Sequence, residues 1–157
     1  MQIKLIAIGK TDQNELEHLI SIYQNRLSHY VRFSFEIIPD LKNSKNLSEK
    51  LQKEEEGKLI LSKITPSDRL ILLDEKGKEM NSVEFSEFLQ KQMNSGIKRM
   101  VLVIGGPYGF SEAVYKKASG TLAFSKMTFS HQMVRLFVIE QLYRGFTILK
   151  NEPYHHR

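Results

Sequence analysis

Short apolar segments alternate with helical patterns along the whole chain, and this alternation constrains the fold more than any other feature. Five segments have the apolar or alternating character of strands: residues 2–8, 31–38, 69–74, 100–104 and 121–124. Helical spacing of apolar residues or a capping residue predicts helices over 13–29, 47–64, 81–96, 111–118 and 131–149. Strands that alternate with helices form a mainly parallel sheet with helices on both faces. We therefore predict an α/β fold with about five strands.

Three local patterns refine this prediction. The helix over 47–64 is strongly charged, with only Leu51, Leu59, Ile60 and Ile64 as an apolar stripe, so we expect a solvated helix that ends before Pro66. The segment EKGKEMN, residues 75–81, is interpreted as a turn. Asn81 followed by Glu84 predicts a capping box for the next helix.

The last predicted helix is apolar around nearly its whole circumference. Its apolar residues run from Met133 to Leu149 on most sides of the helix. One sheet covers only one side of a helix, so another surface must cover the rest. A central helix of a monomer is one solution, and a homodimer interface through this helix is the one we favour.

Composition indicates a single domain, over residues 1–157, in a reducing compartment. The chain has no cysteine, which excludes disulfides and thiolate metal sites. Its longest apolar runs are about five residues, far below the roughly eighteen that span a bilayer. The first ten residues lack a small-residue cleavage site, so we expect a cytoplasmic protein with no membrane partner.

Positive charge is concentrated in the last third of the chain. Residues 98–157 hold 9 Lys and Arg but only 3 Asp and Glu, whereas residues 1–97 hold 14 and 15. Such a region favours a polyanion such as nucleic acid, although a merely basic surface would have the same composition.

The segment VLVIGGPYGF, residues 101–110, predicts a strand that ends in a glycine-rich turn. Its glycines form GGxxG rather than GxGxxG, and LAFSKM stands where a dinucleotide fold would place an acidic residue. The segment IAIGKT resembles the end of a P-loop, but Lys4 occupies the position of its first glycine. A phosphate ligand is therefore disfavoured, and a tight strand-to-helix connection remains an alternative.

Histidine spacing does not predict a metal site. His18 and His29 are eleven residues apart on one helix, and His155 and His156 are adjacent, with no third ligand at suitable spacing. No GxSxG segment marks a serine nucleophile.

Three segments in order, IGGPYGF, LAFSKMTFSHQMVRLFVIEQLYRGF and NEPYHHR, together resemble one family. It is the SPOUT class of methyltransferases, and within it the small bacterial enzymes that methylate N3 of a pseudouridine in large-subunit ribosomal RNA. The resemblance extends from the opening IKLIAIGK to the C-terminus. The chain departs from the pattern at Ser130, where many relatives have proline.

The resemblance implies the fold, the donor and the assembly. The fold is an α/β knot with a threaded C-terminal segment, an exception to the usual rule against knots. The methyl donor is S-adenosylmethionine, the enzyme is a homodimer through its last helix, and the acceptor is ribosomal RNA within the assembled ribosome. Donor contacts carried over to this chain are Leu73, Gly105, Phe124, Ser125, Lys126, Met127, Thr128 and Phe129.

Residues on the acceptor side are expected in the third segment and the tail. N3 of a uracil-like ring must lose its proton, and the candidate bases or hydrogen-bond partners are His131, Tyr154, His155 and His156. Arg135 or Arg157 is a candidate cation that favours the deprotonated imide. The segment PYHHR offers rings for stacking and cations for phosphate.

Two other functions are consistent with parts of the sequence. One is a non-catalytic RNA-binding or ribosome-binding dimer, and the other is a nucleotide-dependent oxidoreductase. The oxidoreductase is disfavoured by the missing ribose-binding acid.

Overall fold

Five parallel strands form the centre of the computed structural model, which describes residues 1–156. The strands are β1 (Gln2–Ile8), β2 (Arg32–Ile38), β3 (Arg69–Glu79), β4 (Arg99–Ile104) and β5 (Gly120–Ala123). The helices are α1 (Asn14–Ser28), α2 (Glu49–Ser62), α3 (Ser82–Asn94), α4 (Glu112–Lys117) and α5 (Met133–Leu149), with a short 3₁₀ helix at Ser44–Asn46. The predicted α/β class is confirmed.

The strand order is β2-β1-β4-β3-β5, and the four pairings are all parallel. Since parallel strands point the same way, their carboxyl ends lie at one edge of the sheet. The loops that follow β3, β4 and β5 are therefore neighbours in space.

Both faces of the sheet are covered by helices. In β1, Ile3 and Leu5 belong to the cluster that contains α1, α3 and α5, whereas Ile6 and Ile8 belong to the cluster that contains α2 and α4. This alternation follows from the two-residue period of a strand. The result is a three-layer arrangement with the sheet buried on both sides.

Helix α5 packs between α1 and α3 on one face of the sheet. Val138, Ile139 and Leu142 have no exposed surface. Met133 and Phe137 remain 43% and 37% exposed on the same helix. The single chain therefore covers part of the apolar circumference and leaves an apolar strip open.

The prediction of a turn over 75–81 was wrong, because β3 continues to Glu79. After a register shift between Leu73 and Lys78, the strand pairs again with β5, with Lys78 opposite Leu122. Gly77 permits this close approach, since a Cβ there would lie 2.6 Å from the backbone nitrogen of Leu122. The extension escaped the sequence pattern because it is charged and its side chains are largely exposed.

The prediction of the buried face of α2 was also wrong. Leu51 and Leu59 are 41% and 37% exposed, while the buried residues of this helix are Gln52, Glu56, Gly57 and Ile60. The predicted end before Pro66 is confirmed at Ser62.

The predicted capping box of α3 is confirmed. The side-chain oxygen of Asn81 accepts from the N–H of Glu84 at 2.9 Å, and the Glu84 carboxylate accepts from the N–H of Asn81 at 2.8 Å. Across residues 1–156, no helix combines the length and apolar character needed to cross a bilayer.

Candidate functional site

A cavity of about 500 Å³ lies at the carboxyl ends of β3, β4 and β5. In parallel α/β sheets this edge is where ligands commonly bind, because loops from several strands converge there. The size also lies within the range of roughly 300–1,000 Å³ that is usual for small-molecule sites.

Seven of the eight predicted donor contacts line this cavity: Leu73, Gly105, Phe124, Ser125, Met127, Thr128 and Phe129. The eighth, Lys126, lies exposed in the same segment and outside the cavity lining. Residues from three separate loops are thus brought together as expected. Whether they bind the donor stays a prediction.

The glycine turn approaches the cavity with bare backbone. Gly105 follows β4, and a Cβ at this position would lie 3.1 Å from two ring carbons of Phe110. Gly109 has a φ of +80° and donates its N–H to the Gly106 carbonyl at 3.1 Å. A side chain at 105 would have to displace the buried Phe110 ring or project into the cavity, which explains glycine there.

The cavity also contains acidic groups that the sequence reasoning missed. Asp74 and Glu75 follow the buried part of β3 and belong to the lining. Tyr115 of α4 donates to the Asp74 carboxylate, and burial together with this hydrogen bond raises the pKa of Tyr115 to about 12. Thr128 donates to Glu75 at 3.2 Å. The available signal was an acidic pair at the end of an apolar strand.

Serine hydroxyls order the segment between β5 and α5. The Ser125 Oγ accepts from the N–H of Met127 at 2.9 Å, and the Ser130 Oγ accepts from the N–H of Met133 at 3.1 Å. Ser130 therefore stabilises the start of α5 at the position where many relatives have proline.

The same segment is tied to the loop after β1. The Gln132 side-chain amide donates to the Lys10 carbonyl at 2.9 Å and accepts from the Asp12 N–H at 3.0 Å. His131 is exposed and lines the cavity.

Arg135 is 1% exposed, and its guanidinium hydrogen bonds are made within the protein. It donates to the Ile8 carbonyl at 2.8 Å, the His131 carbonyl at 2.9 Å and the Thr11 hydroxyl at 3.1 Å. Burial lowers the pKa of Arg135 from its usual value. In this geometry Arg135 joins β1 to the start of α5.

The described part of the tail is docked on α5 and α1. The Tyr154 hydroxyl donates to Glu140 at 2.9 Å and lies 3.3 Å from the Tyr23 hydroxyl. The Arg144 guanidinium carbon lies 4.7 Å from the Tyr154 ring centroid, and its Nη1 is 3.4 Å from Nδ1 of His155. Burial first, and then the hydrogen bonds with Tyr23 and Glu140, raise the pKa of Tyr154.

The predicted acceptor-side residues are not gathered in one place within one chain. His131 lines the cavity, whereas Tyr154 and His155 lie in the docked tail outside its lining, and His156 is exposed. Arg157 lies outside the described residues.

Comparison with known proteins places this fold and cavity in a class. A family model described as "Predicted SPOUT methyltransferase" matches residues 1–155. The chain belongs to the SPOUT methyltransferase family, and the knotted form of the α/β fold is implied by that membership.

Individual relatives match along their whole length. The chain is 71% identical over 157 residues to the ribosomal RNA large subunit methyltransferase H of Flavobacterium psychrophilum, and 69% identical to that of Flavobacterium johnsoniae. Both matches cover 100% of this chain and of the relative. The structure of a probable methylase family protein from Haemophilus influenzae Rd KW20 is similar with a TM-score of 0.51 at 12% identity, covering 99% of this chain and 70% of that one. That structural likeness concerns the fold alone.

Proposed function

We propose that this methyltransferase transfers a methyl group from S-adenosylmethionine to N3 of a pseudouridine in large-subunit ribosomal RNA, acting on assembled ribosomes in the cytoplasm. The observation that carries the proposal is the convergence of seven predicted donor contacts on one cavity. The large-subunit ribosomal RNA named in the relatives' titles supports the choice of acceptor.

The cavity lining suits an adenosyl sulfonium. Leu73, Phe124 and Met127 offer apolar surface for the adenine ring, and the turn at Gly105 offers main-chain groups for hydrogen bonds. The carboxylates of Asp74 and Glu75 are acceptors for the ribose hydroxyls or the amino group of the donor. The donor supplies the methyl group, and its positive charge disperses as the methyl leaves, so an apolar enclosure favours transfer.

The acceptor must reach the same cavity as an imide that loses its N3 proton. His131 lies in the cavity lining and is the candidate closest to the proposed donor contacts along the chain. Tyr154, His155 and His156 are candidate contacts from the tail, and Arg157 remains a cation predicted from sequence. The buried Arg135 fits a role in holding the segment that carries His131, since its donors are used by Ile8, Thr11 and His131.

A homodimer through α5 would bring tail and cavity together. Phe129 of the cavity lining lies 5.1 Å, between ring centroids, from Phe137 on the exposed strip of α5. Met133 extends the strip on the same helix. An apolar strip beside the cavity fits an interface in which the partner's tail completes the acceptor side.

The test is methyl transfer from labelled S-adenosylmethionine to ribosomes that lack this modification. We expect label in large-subunit ribosomal RNA, and free RNA stripped of ribosomal proteins serves as the comparison for the assembled particle. Donor binding by calorimetry with no label in RNA would leave a ribosome-binding protein without this activity. The absence of both would contradict the proposal.

A further inference from the structure

Glu56 is a buried acid on α2, behind the glycine turn. The residue is 3% exposed. Its Oε1 accepts from the Gln52 amide at 2.9 Å, whereas its buried Oε2 has no hydrogen-bond partner within residues 1–156. A buried carboxyl oxygen without a partner is costly, so its retention at this position calls for a role.

The Glu56 carboxyl lies directly against the turn that lines the cavity. A Cβ added to Gly106 would lie 2.2 Å from Oε2 of Glu56. Gly106 belongs to the cavity lining, and Glu56 does not. The acid therefore contacts the turn from behind while the turn contacts the cavity.

The next residue of α2 makes a second close contact with the segment that follows the turn. A Cβ at Gly57 would lie 2.3 Å from the Ser111 Oγ, and Ser111 caps α4. Helix α2 is thus pressed against both ends of the segment 106–111. A change in the Glu56 carboxyl has little room to relax without moving that segment.

The surroundings of Glu56 favour its neutral form. Burial raises the pKa of Glu56 above its ordinary value of 4.5, and the negative charge of Asp40, in the loop after β2, raises it further against the opposing hydrogen bond from Gln52. The neighbouring Ser111 and Val114 of α4 are uncharged, and Tyr108, the titratable side chain of the turn, is 45% exposed. A neutral carboxyl also supplies an O–H that can donate to a nearby acceptor.

We propose that Glu56 is a positioning residue for the donor cavity, whose uncharged carboxyl holds the backbone of the turn 105–109 in the shape that binds the donor. This inference rests on the proposed function, because it concerns the affinity for S-adenosylmethionine. Ionised Glu56 needs water that the packed site does not offer, so ionisation moves the turn away from α2 and weakens donor binding.

The test compares donor affinity by calorimetry between about pH 5 and pH 9 in the wild type, Glu56→Gln and Glu56→Leu. Glutamine has the same shape and stays neutral, so this variant should bind at low pH within about threefold of the wild type. As pH rises through the Glu56 pKa, wild-type affinity should fall by about tenfold for each unit by which donor binding shifts that pKa, relative to Glu56→Gln. Glu56→Leu, which lacks polar atoms, should bind about tenfold or more weakly at every pH. Glu55→Gln, on the exposed side of the same helix, is the matched control and should retain the wild-type profile.

Two results would overturn the inference: a profile for Glu56→Gln identical to that of the wild type, or wild-type affinity in Glu56→Leu. If Glu56→Leu does not fold, the wild type and Glu56→Gln decide the question by themselves. A wild type that binds no donor at any pH would contradict the proposed function, and this inference with it. Donor binding with a pH profile that does not depend on residue 56 would contradict this inference alone.

Discussion

Substitution of Gly105 by valine tests the donor cavity at its closest backbone approach. A Cβ at this position would lie 3.1 Å from Cε1 and Cζ of Phe110 and 3.4 Å from the Gly109 carbonyl oxygen. Phe110 is only 6% exposed, so its ring has little room to retreat. The variant relieves the overlap by moving the turn or the valine methyl groups into the cavity, which the donor then cannot fill.

The cost of such overpacking sets the size of the effect. Inserting methyl groups into a packed site costs about 1–3 kcal/mol, and here the cost falls on the donor complex because the free protein relaxes into the cavity. Since 1.4 kcal/mol is a factor of ten in affinity, Gly105→Val should weaken donor binding by about 5- to 150-fold.

Calorimetric titration with S-adenosylmethionine measures this loss, and light scattering checks that the oligomeric state is unchanged. Gly120→Val is the matched control, because a Cβ there would lie 3.7 Å from Ile71, an ordinary contact. Gly120 is also outside the cavity lining. Wild-type affinity in Gly105→Val, or an equal loss in Gly120→Val, would refute the reasoning.

Three further changes test other parts of the account. Deleting residues 153–157 should leave donor affinity unchanged and abolish methyl transfer to ribosomes; full activity would mean that the tail is dispensable. Phe137→Asp should convert a dimer to monomers in analytical ultracentrifugation, because it places a charge on the apolar strip of α5, and an unchanged sedimentation coefficient would argue against this interface. Asp68→Asn should lower the free energy of unfolding at pH 7 by about 1–3 kcal/mol, measured in urea, because Arg99 donates to both Asp68 oxygens at 2.7 and 2.5 Å. Burial by itself would raise the pKa of Asp68, but the bonds from Arg99 and Thr65 lower it on balance from 3.8, so the difference should shrink as pH falls through the lowered pKa and should persist if the pair is not responsible.

Local patterns were sufficient to predict the sheet and most of the site. Strand β4 and its glycine turn were visible as an apolar run that ends in glycines, and α3 was visible in its capping box. The donor contacts Leu73, Gly105 and Phe124 come from loops far apart in the sequence. Composition and periodicity alone did not select them, because their proximity depends on the order of three parallel strands; the family resemblance did.

The two main errors have a shared physical cause. Helical periodicity assumes that a buried face is apolar, but α2 buries Gln52 and Glu56 against a glycine turn and exposes Leu51. Likewise, the charged extension of β3 pairs with β5 through its backbone, and its largely exposed side chains carry no apolar alternation. Both features depend on close approach to glycine backbone, which a hydrophobic pattern does not register.

Arg135 shows why side-chain chemistry does not fix a role. A cation next to His131 in the sequence pattern is consistent with contact to RNA or to a deprotonated base. The structure instead buries the guanidinium between β1 and α5, where its hydrogen bonds are made with Ile8, Thr11 and His131. Only the tertiary arrangement distinguishes these uses of an arginine.

A crystal structure of the protein soaked with S-adenosylmethionine tests the central claim most directly. The account predicts the adenosyl group in the cavity at the carboxyl ends of β3, β4 and β5, in contact with Leu73, Gly105 and Phe124. A donor bound at another surface of the protein, with that cavity containing only solvent, would contradict it.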